Sequence, residues 1–259
     1  MITHTLEKNV SWITLNRPAV MNAITPEQRE ELIHLLKTAS ADATTRAVVL
    51  TATGKGFCTG ADLRGGPPPE DRLPGDVSRV IKDGAQRLIA AVLDCEKPVI
   101  AAVNGTAAGL GAHLAYACDL ILAAESARFI EVFARRGLVP DGGGAYLLPR
   151  LIGLHRAKEL MFFGDALTAV DAHRLGLVNR VVPDEDLEKT ARSWAERLAT
   201  GPTRSLAFTK QLVNASLDSG RATAFTAEAS AQEINMTTSD ATEGVTAFVE
   251  RRPPNFTGH

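Results

Sequence analysis

The chain begins with a pattern of apolar and polar positions that predicts two strands, a helix and a further strand. Residues 10–16 alternate with a period of two, which predicts a strand paired with an earlier one across a turn at residues 7–9. A threonine, a proline and a glutamine within residues 25–28 form a capping box, a start signal of a helix. The apolar segment 47–52 then predicts a buried strand. This order of elements is typical of an α/β protein.

The middle of the chain continues this alternation. Apolar spacing predicts a helix over residues 78–94, and the continuous apolar segments 98–103 and 119–124 predict buried strands. A helix of small side chains is expected to start near Ala108. Residues 64–75 hold four prolines and three glycines among charged side chains, which indicates an irregular and mobile surface loop.

Late in the chain the pattern becomes helical, with one remaining strand signal at residues 177–182. Helices are expected to begin at Asp184, Pro202 and Asp240. Asp240 and Glu243 have the spacing of a second capping box, which would start the last helix.

The change in pattern divides the chain into residues 1–199, an α/β core, and residues 200–259, an all-helical region. The apolar stripes of the helical region exceed what a terminal hairpin can bury by itself. We therefore expect this region to pack against other copies of the chain.

Composition narrows the possible partners and compartments. The 259 residues are 45% hydrophobic, and 28 basic side chains oppose 30 acidic ones, which is ordinary for a globular protein. The basic residues are scattered, so neither nucleic acid nor an acidic membrane is an expected partner. Three cysteines without paired spacing indicate buried, reduced thiols and a cytoplasmic location. No signal peptide or membrane-spanning segment is expected.

Several familiar catalytic signatures are missing from the sequence. It contains no Gly-x-Ser-x-Gly, no phosphate-binding loop, no complete dinucleotide fingerprint and no metal-ligand spacing of His or Cys. Serine hydrolysis, nucleotide hydrolysis and zinc chemistry are therefore disfavoured, and no metal is expected. Three glycine-rich junctions remain, at residues 57–62, 104–111 and 137–144. Two of them place backbone N–H groups at the start of a helix, which is a geometry that stabilises an oxyanion.

A resemblance to a known family rests on motifs that occur in order along the whole chain. They are Asn16-Arg-Pro with Met21-Asn-Ala, the Gly-Phe-Cys-Thr-Gly-Ala-Asp-Leu loop, Lys97-Pro-Val-Ile-Ala-Ala-Val-Asn-Gly, Ala117-Cys-Asp-Leu, Gly137-Leu-Val-Pro-Asp and the ending Ala247-Phe-Val-Glu-Arg-Arg-Pro-Pro-Asn-Phe. The sequence thereby resembles the crotonase, or enoyl-CoA hydratase/isomerase, superfamily. The resemblance implies a spiral of ββα repeats with a C-terminal helical trimerisation region that forms trimers or dimers of trimers.

The same resemblance implies an acyl-CoA thioester substrate and no separate cofactor, because coenzyme A is part of the substrate. The backbone amides of Ala61 and Leu110 would hold the thioester carbonyl in an oxyanion hole. Substrate contacts would come from residues around both junctions, namely Ala23, Ala61, Asp62, Leu63, Gly109, Leu110 and Phe133.

The chain departs from the hydratase pattern at the two positions where hydratases carry glutamates. Those positions match His113 and Phe133 here. The remaining candidate acid or base is Asp141, which occupies a position where several isomerases of the family carry a functional carboxylate. An N-cap on the following helix is the alternative role for Asp141.

His113 follows Leu110 by three residues, so the two side chains share a helix face. The imidazole either faces the acyl pocket or is a core histidine that hydrogen-bonds to backbone. The preferred function is an enoyl-CoA isomerase with Asp141 as the proton shuttle. The first alternative is a hydratase in which His113 and Asp141 position water, and the second is a non-catalytic binder of acyl-CoA or RNA.

Overall fold

A computed structural model describes residues 1–64 and 73–259 of the chain. Within these ranges the strands are β1 Ile2–Glu7, β2 Val10–Leu15, β3 Ala47–Ala52, β4 Gly56–Cys58, β5 Val99–Val103, β6 Thr106–Ala108, β7 Leu120–Ala124, β8 Arg128–Ile130, β9 Ala166–Thr168 and β10 Arg180–Val182. The helices are α1 Pro26–Ala41, α2 Asp76–Val80, α3 Arg87–Leu93, α4 Leu110–Tyr116, α5 Gly144–Ile152, α6 Leu154–Phe163, α7 Ala169–Arg174, α8 Leu187–Ala199, α9 Thr203–Ser216, α10 Arg221–Asn235 and α11 Ser239–Glu250. The loop predicted over residues 64–75 falls mostly on 65–72, outside the described residues.

The larger of two sheets has the strand order β1-β2-β3-β5-β7-β10. Its first pair is antiparallel and every other pair is parallel. Both faces are covered, which explains the continuous apolar segments. On β3, Val48 and Leu50 enter the main core with α1, α3 and α4, whereas Val49 faces a second core against α8. The expectation of buried strands in an α/β fold is confirmed.

The smaller sheet has the order β4-β6-β8-β9, and only its last pair is antiparallel. The strands β3, β5 and β7 lie side by side in the large sheet, and β4, β6 and β8 lie side by side in the small one. Each strand pair followed by a helix is therefore one turn of a ββα spiral, as expected. The prediction of helices beyond residue 151 was wrong at β9, and the glycine-rich junction at residues 57–62 begins inside β4. Three-residue strands are too short for a periodic signal.

The predicted helix 78–94 is divided by a π-helical segment at Ile81–Gln86, between α2 and α3. Gly84 lies in this segment against the Arg29 guanidinium of α1, where a Cβ would approach Nη1 to 2.5 Å. A π-helical insertion often marks a functional region of a protein. This one packs its Ala85 against the turn that carries Asp141.

Two predicted helix starts are wrong in detail. The last helix is capped by Thr238, which accepts a hydrogen bond from the Ala241 N–H at 3.1 Å. Asp240 instead accepts hydrogen bonds from the Thr257 and Gly258 N–H groups and holds the C-terminal segment in place. Asp184 begins a short 3-10 helix, and α8 starts only at Leu187.

The last three helices, α9 to α11, are joined to the α/β core by charged side chains. The Arg46 guanidinium donates to the carbonyl of Gly201 and the hydroxyl of Thr203. Buried Lys210 on α9 pairs with Asp119 at 2.8 Å. The division of the chain at residue 200 and the trimeric assembly stay predictions. Among the residues described, no helix is long and apolar enough to cross a membrane.

Candidate active site

Two loop segments bring a pair of backbone N–H groups to the same region. Ala61 forms a parallel bridge with Ile24, in which the neighbouring Gly60 carbonyl and Asp62 N–H make the hydrogen bonds. Leu110 is the first residue of α4. Neither the Ala61 nor the Leu110 N–H donates to any group in the part of the chain that the structure describes. Both groups are therefore available as donors.

Glycines allow these two segments to approach each other. Gly109 has φ +52° and ψ −127°, a conformation that disfavours residues with a side chain, and it sets the start of α4 at Leu110 rather than near Ala108. A Cβ on Gly111 would lie 2.1 Å from the Cys58 carbonyl oxygen at the end of β4. Because only hydrogen fits there, the start of α4 lies directly against the segment that leads to Ala61.

The segment next to Ala61 is held by an arginine. Arg17 donates to the Ala23 carbonyl at 2.8 Å and to the Asp62 carboxylate at 3.2 Å. Arg64 also pairs with Asp62, and the two guanidinium groups hold the pKa of the Asp62 carboxyl well below its usual range. Asp62 therefore stays ionised, and its two ion pairs fix the segment next to Ala61. The Leu63 side chain beside it is exposed.

Asp141 lies in the turn before α5 and is half-buried. The N-cap of α5 is Gly143, and no side chain caps this helix, so the capping role considered for Asp141 was wrong. No described residue donates a hydrogen bond to its carboxylate. Burial raises the pKa of the Asp141 carboxyl, and the nearby His113 partly opposes that change.

The turn that carries Asp141 packs closely on α4. A Cβ on Gly142 would lie 2.8 Å from Cδ1 of Leu110, and one on Gly144 would lie 2.1 Å from Nε2 of His113. The glycines after Asp141 therefore bring its backbone against the same helix that presents the Leu110 N–H.

His113 is fully buried and hydrogen-bonds through Nε2 to Oε2 of Glu131 at 3.0 Å. Phe133 stacks on the imidazole, with ring centroids 5.3 Å apart and an interplanar angle of 10°. Neither of the two alternatives for His113, a backbone partner or an open pocket, included Glu131. A carboxylate directly after the apolar strand β8 was the available signal for this buried residue.

Tyr116, one turn after His113 on α4, is a second aromatic neighbour of the histidine. The two ring centroids are 6.0 Å apart. Burial and the Glu131 carboxylate raise the pKa of Tyr116 well above its usual value, so this phenol stays neutral.

Most of the predicted site residues converge on one region. A Cβ on Gly109 would lie 3.7 Å from the Phe133 ring, so these two residues are neighbours. Leu110 contacts the Asp141 turn at Gly142. Leu63, two positions after Ala61, is 71% exposed. Within residues 1–64 and 73–259, no cluster of three or more His, Cys, Asp or Glu could hold a metal ion. Two amide donors and one half-buried carboxylate are a set that suits proton transfer next to a carbonyl.

The chain is similar to known proteins along nearly its whole length. A family model described as enoyl-CoA hydratase/isomerase matches residues 5–259. A Rhodobacter capsulatus protein named "Probable enoyl-CoA hydratase" is 41% identical over 257 residues, which are 99% of this chain and 98% of that protein. The 1,2-epoxyphenylacetyl-CoA isomerase of Escherichia coli is 40% identical over 259 residues, with 98% of this chain and 97% of that protein covered.

A solved structure gives the same result at the level of the fold. The crystal structure of an enoyl-CoA hydratase/isomerase from Cupriavidus metallidurans matches with a TM-score of 0.93 and 41% identity, covering 99% of this chain and 96% of that one. The relatives carry the names of both hydratases and isomerases.

Proposed function

Because the chain belongs to the enoyl-CoA hydratase/isomerase family, we propose that it is an isomerase that converts 3-enoyl-CoA thioesters to 2-enoyl-CoA thioesters. Family membership identifies the chain as an enzyme, so the alternatives of a non-catalytic binder of acyl-CoA or RNA lose their support. The choice between isomerase and hydratase depends on the side chains around Asp141.

The proposed reaction needs one base and one oxyanion site. The Asp141 carboxylate removes a proton from the α-carbon, and the electron pair of the broken C–H bond moves toward the thioester carbonyl to give an enolate. The N–H groups of Ala61 and Leu110 donate to the enolate oxygen. The enolate then re-forms the carbonyl, and its electron pair makes a double bond between the α- and β-carbons. The double bond between the β- and γ-carbons breaks at the same time, and its electron pair takes the proton from Asp141 to form the C–H bond at the γ-carbon.

The observation that carries this proposal is the half-buried Asp141 carboxylate, which has no hydrogen-bond donor among the described residues. A carboxyl with a raised pKa accepts a carbon-bound proton more readily and returns it more readily. Ala61 and Leu110 supply the two donors that the enolate needs.

The surroundings of Asp141 support isomerisation over hydration. Addition of water calls for a second group that positions hydroxide or delivers a proton. One of the hydratase glutamate positions holds the apolar ring of Phe133, and at the other the His113 Nε2 is already bonded to Glu131. A hydratase that uses His113 and Asp141 is therefore the second candidate. The products formed from 2-enoyl-CoA and 3-enoyl-CoA distinguish it from the isomerase.

The test is to incubate the wild-type protein with a 3-enoyl-CoA and, separately, with a 2-enoyl-CoA in heavy water. We expect the 3-enoyl thioester to give the 2-enoyl form, with deuterium at the α- or γ-carbon by mass spectrometry. Formation of 3-hydroxyacyl-CoA as the main product from the 2-enoyl thioester would favour the hydratase instead. Binding of both thioesters without turnover or exchange would contradict both candidates.

A further inference from the structure

A pair of buried polar residues, His113 and Glu131, lies next to the Asp141 turn. His113 and Glu131 are 0% and 1% exposed, and they are 3.0 Å apart. They come from different elements, since His113 is on α4 and Glu131 follows β8. A buried carboxylate is costly unless a positive charge or several donors compensate it.

The two residues share one hydrogen bond, between Nε2 of His113 and Oε2 of Glu131. Within the described part of the chain, Oε1 of Glu131 and Nδ1 of His113 have no hydrogen-bond partner, and the Tyr116 hydroxyl lies near the Glu131 carboxylate. Nδ1 is the ring atom nearest to a Cβ position on Gly142, at 3.8 Å. The imidazole therefore contacts both Glu131, which bonds to Nε2, and the glycines that follow Asp141 in its turn.

The other neighbours of His113 bring no competing charge. Tyr116 on the same helix stays neutral, and Phe133 covers one face of the ring. From the segment that includes the π-helix and α3, the apolar residues Ala85 and Ile89 lie against the glycines after Asp141. The titratable groups that face His113 in the described structure are thus Glu131, Tyr116 and Asp141.

We infer that the buried Glu131 keeps His113 in its imidazolium form, and that this buried positive charge holds the Asp141 carboxylate ionised and ready to accept the substrate proton. His113 and Glu131 are then positioning residues that act through Asp141 without touching the substrate. The inference rests on the proposed role of Asp141 as the base, and it extends that role by naming what sets the protonation state of the base.

The sign of the effect follows from the surroundings of Asp141. Burial favours the neutral carboxylic acid, whereas a nearby imidazolium favours the carboxylate. Glu131→Gln keeps the size of the side chain and its capacity to hydrogen-bond His113 but removes the charge that retains the proton on the imidazole. The Asp141 carboxyl should then hold its proton to a higher pH.

The experiment measures kcat/KM for isomerisation against pH in the wild type, Glu131→Gln, His113→Asn and the control Glu185→Gln. Glu185 is an exposed glutamate in the 3-10 helix before α8. We expect the acid limb of both pair variants to move to higher pH, so that activity on that limb falls about tenfold relative to the wild type while the plateau changes less. Glu131→Asp should restore part of the wild-type profile, and the control should match the wild type.

A decrease of kcat/KM that is equal at every pH would overturn the inference. That result is expected if His113 and Glu131 only stabilise the structure and do not affect the protonation of Asp141. If Glu131→Gln does not fold, the wild type supplies the deciding measurement. Nitrogen-15 NMR of the histidine rings should show both nitrogens of His113 protonated at neutral pH. A neutral His113 ring would overturn the inference.

The two proposals fail in distinguishable ways. Carbon-13 NMR of labelled aspartate carboxyl groups, with Asp141→Asn for assignment, follows the titration of Asp141 without any turnover. If the pKa of Asp141 changes in Glu131→Gln but the wild-type protein does not isomerise enoyl thioesters, the proposed function alone is rejected. If the protein is an active isomerase but the pKa of Asp141 is the same in Glu131→Gln and the wild type, only the inference about the pair is rejected.

Discussion

The Asp141 carboxylate is half-buried and accepts no hydrogen bond from the described residues, so its removal should affect chemistry more than folding. Asp141→Asn keeps the shape of the side chain and deletes the proton acceptor. We expect turnover to fall by about 10²–10⁴-fold, the usual range for a positioned acid or base, with little change in thioester affinity. Steady-state rates and calorimetric binding would measure the two effects, with Glu185→Gln as the control. A variant that keeps more than about a tenth of wild-type turnover would exclude Asp141 as the base.

Phe133 decides, in our proposal, which reaction the enolate chemistry produces. Phe133→Glu places a carboxylate where hydratases of the family carry one, and we expect it to add hydration of 2-enoyl-CoA to the reactions of the protein. Phe133→Gln is the matched control, because it has the same shape without the charge. Equal hydration by the wild type, the Glu variant and the Gln variant would contradict the role assigned to this ring.

Single residues also show how much of the candidate site could be predicted from the sequence. Asp141 and Leu110 were identifiable because motifs surround them. Glu131 was missed, since its position directly after β8 does not reveal its contact with His113, which is 18 positions away in the chain. Residue patterns report periodicity along the chain, and they do not report which buried polar groups meet across elements.

At the scale of secondary structure, the close packing of α5 on α4 makes a sharp prediction. Gly144→Ala adds a Cβ that would lie 2.1 Å from Nε2 of His113, so either the imidazole or the Asp141 turn must move. We expect the free energy of unfolding to fall by about 1–3 kcal/mol, the usual cost of overpacking, together with a loss of turnover. Urea denaturation and steady-state assays measure the two effects.

Gly220→Ala is the control for that variant, because a Cβ on Gly220 would meet no atom within 4 Å and its φ of −70° suits alanine. It should lower the stability by less than Gly144→Ala and leave turnover unchanged. Equal stability and activity of Gly144→Ala and the wild type would show that the turn is not seated on His113 as described.

Elements with strong local signals were predictable, and those defined by long-range pairing were not. The capping box of α1 is present, since Thr25 accepts from the Gln28 N–H and the Gln28 side chain accepts from the Thr25 N–H. The long parallel strands were also predicted. In contrast, β6, β8 and β9 exist because neighbouring strands supply their hydrogen bonds. The cap of α11 moved from Asp240 to Thr238 because the C-terminal segment engages the Asp240 carboxylate.

For the whole molecule, the C-terminal helices present an apolar surface that one chain leaves uncovered. No residue of α10 is buried, and large apolar side chains on α9 to α11 are exposed, including Val213, Leu217, Phe225, Ile234, Phe248 and Val249. Exposed apolar area on this scale is typical of an interaction surface. Helix α9 is anchored to the core through Arg46 and Lys210.

We therefore predict that the chain forms a trimer, or two stacked trimers, through α9 to α11. Sedimentation equilibrium at micromolar concentration should give three or six times the chain mass of 27.6 kDa. Phe225→Asp places a charge in the proposed interface and should lower the mass, whereas Leu6→Asp, at an exposed leucine of β1, should not. A wild-type protein that sediments as a monomer would contradict the prediction. A mass unchanged in Phe225→Asp would place the interface elsewhere on the surface, because burying an unpaired carboxylate at an apolar contact opposes association.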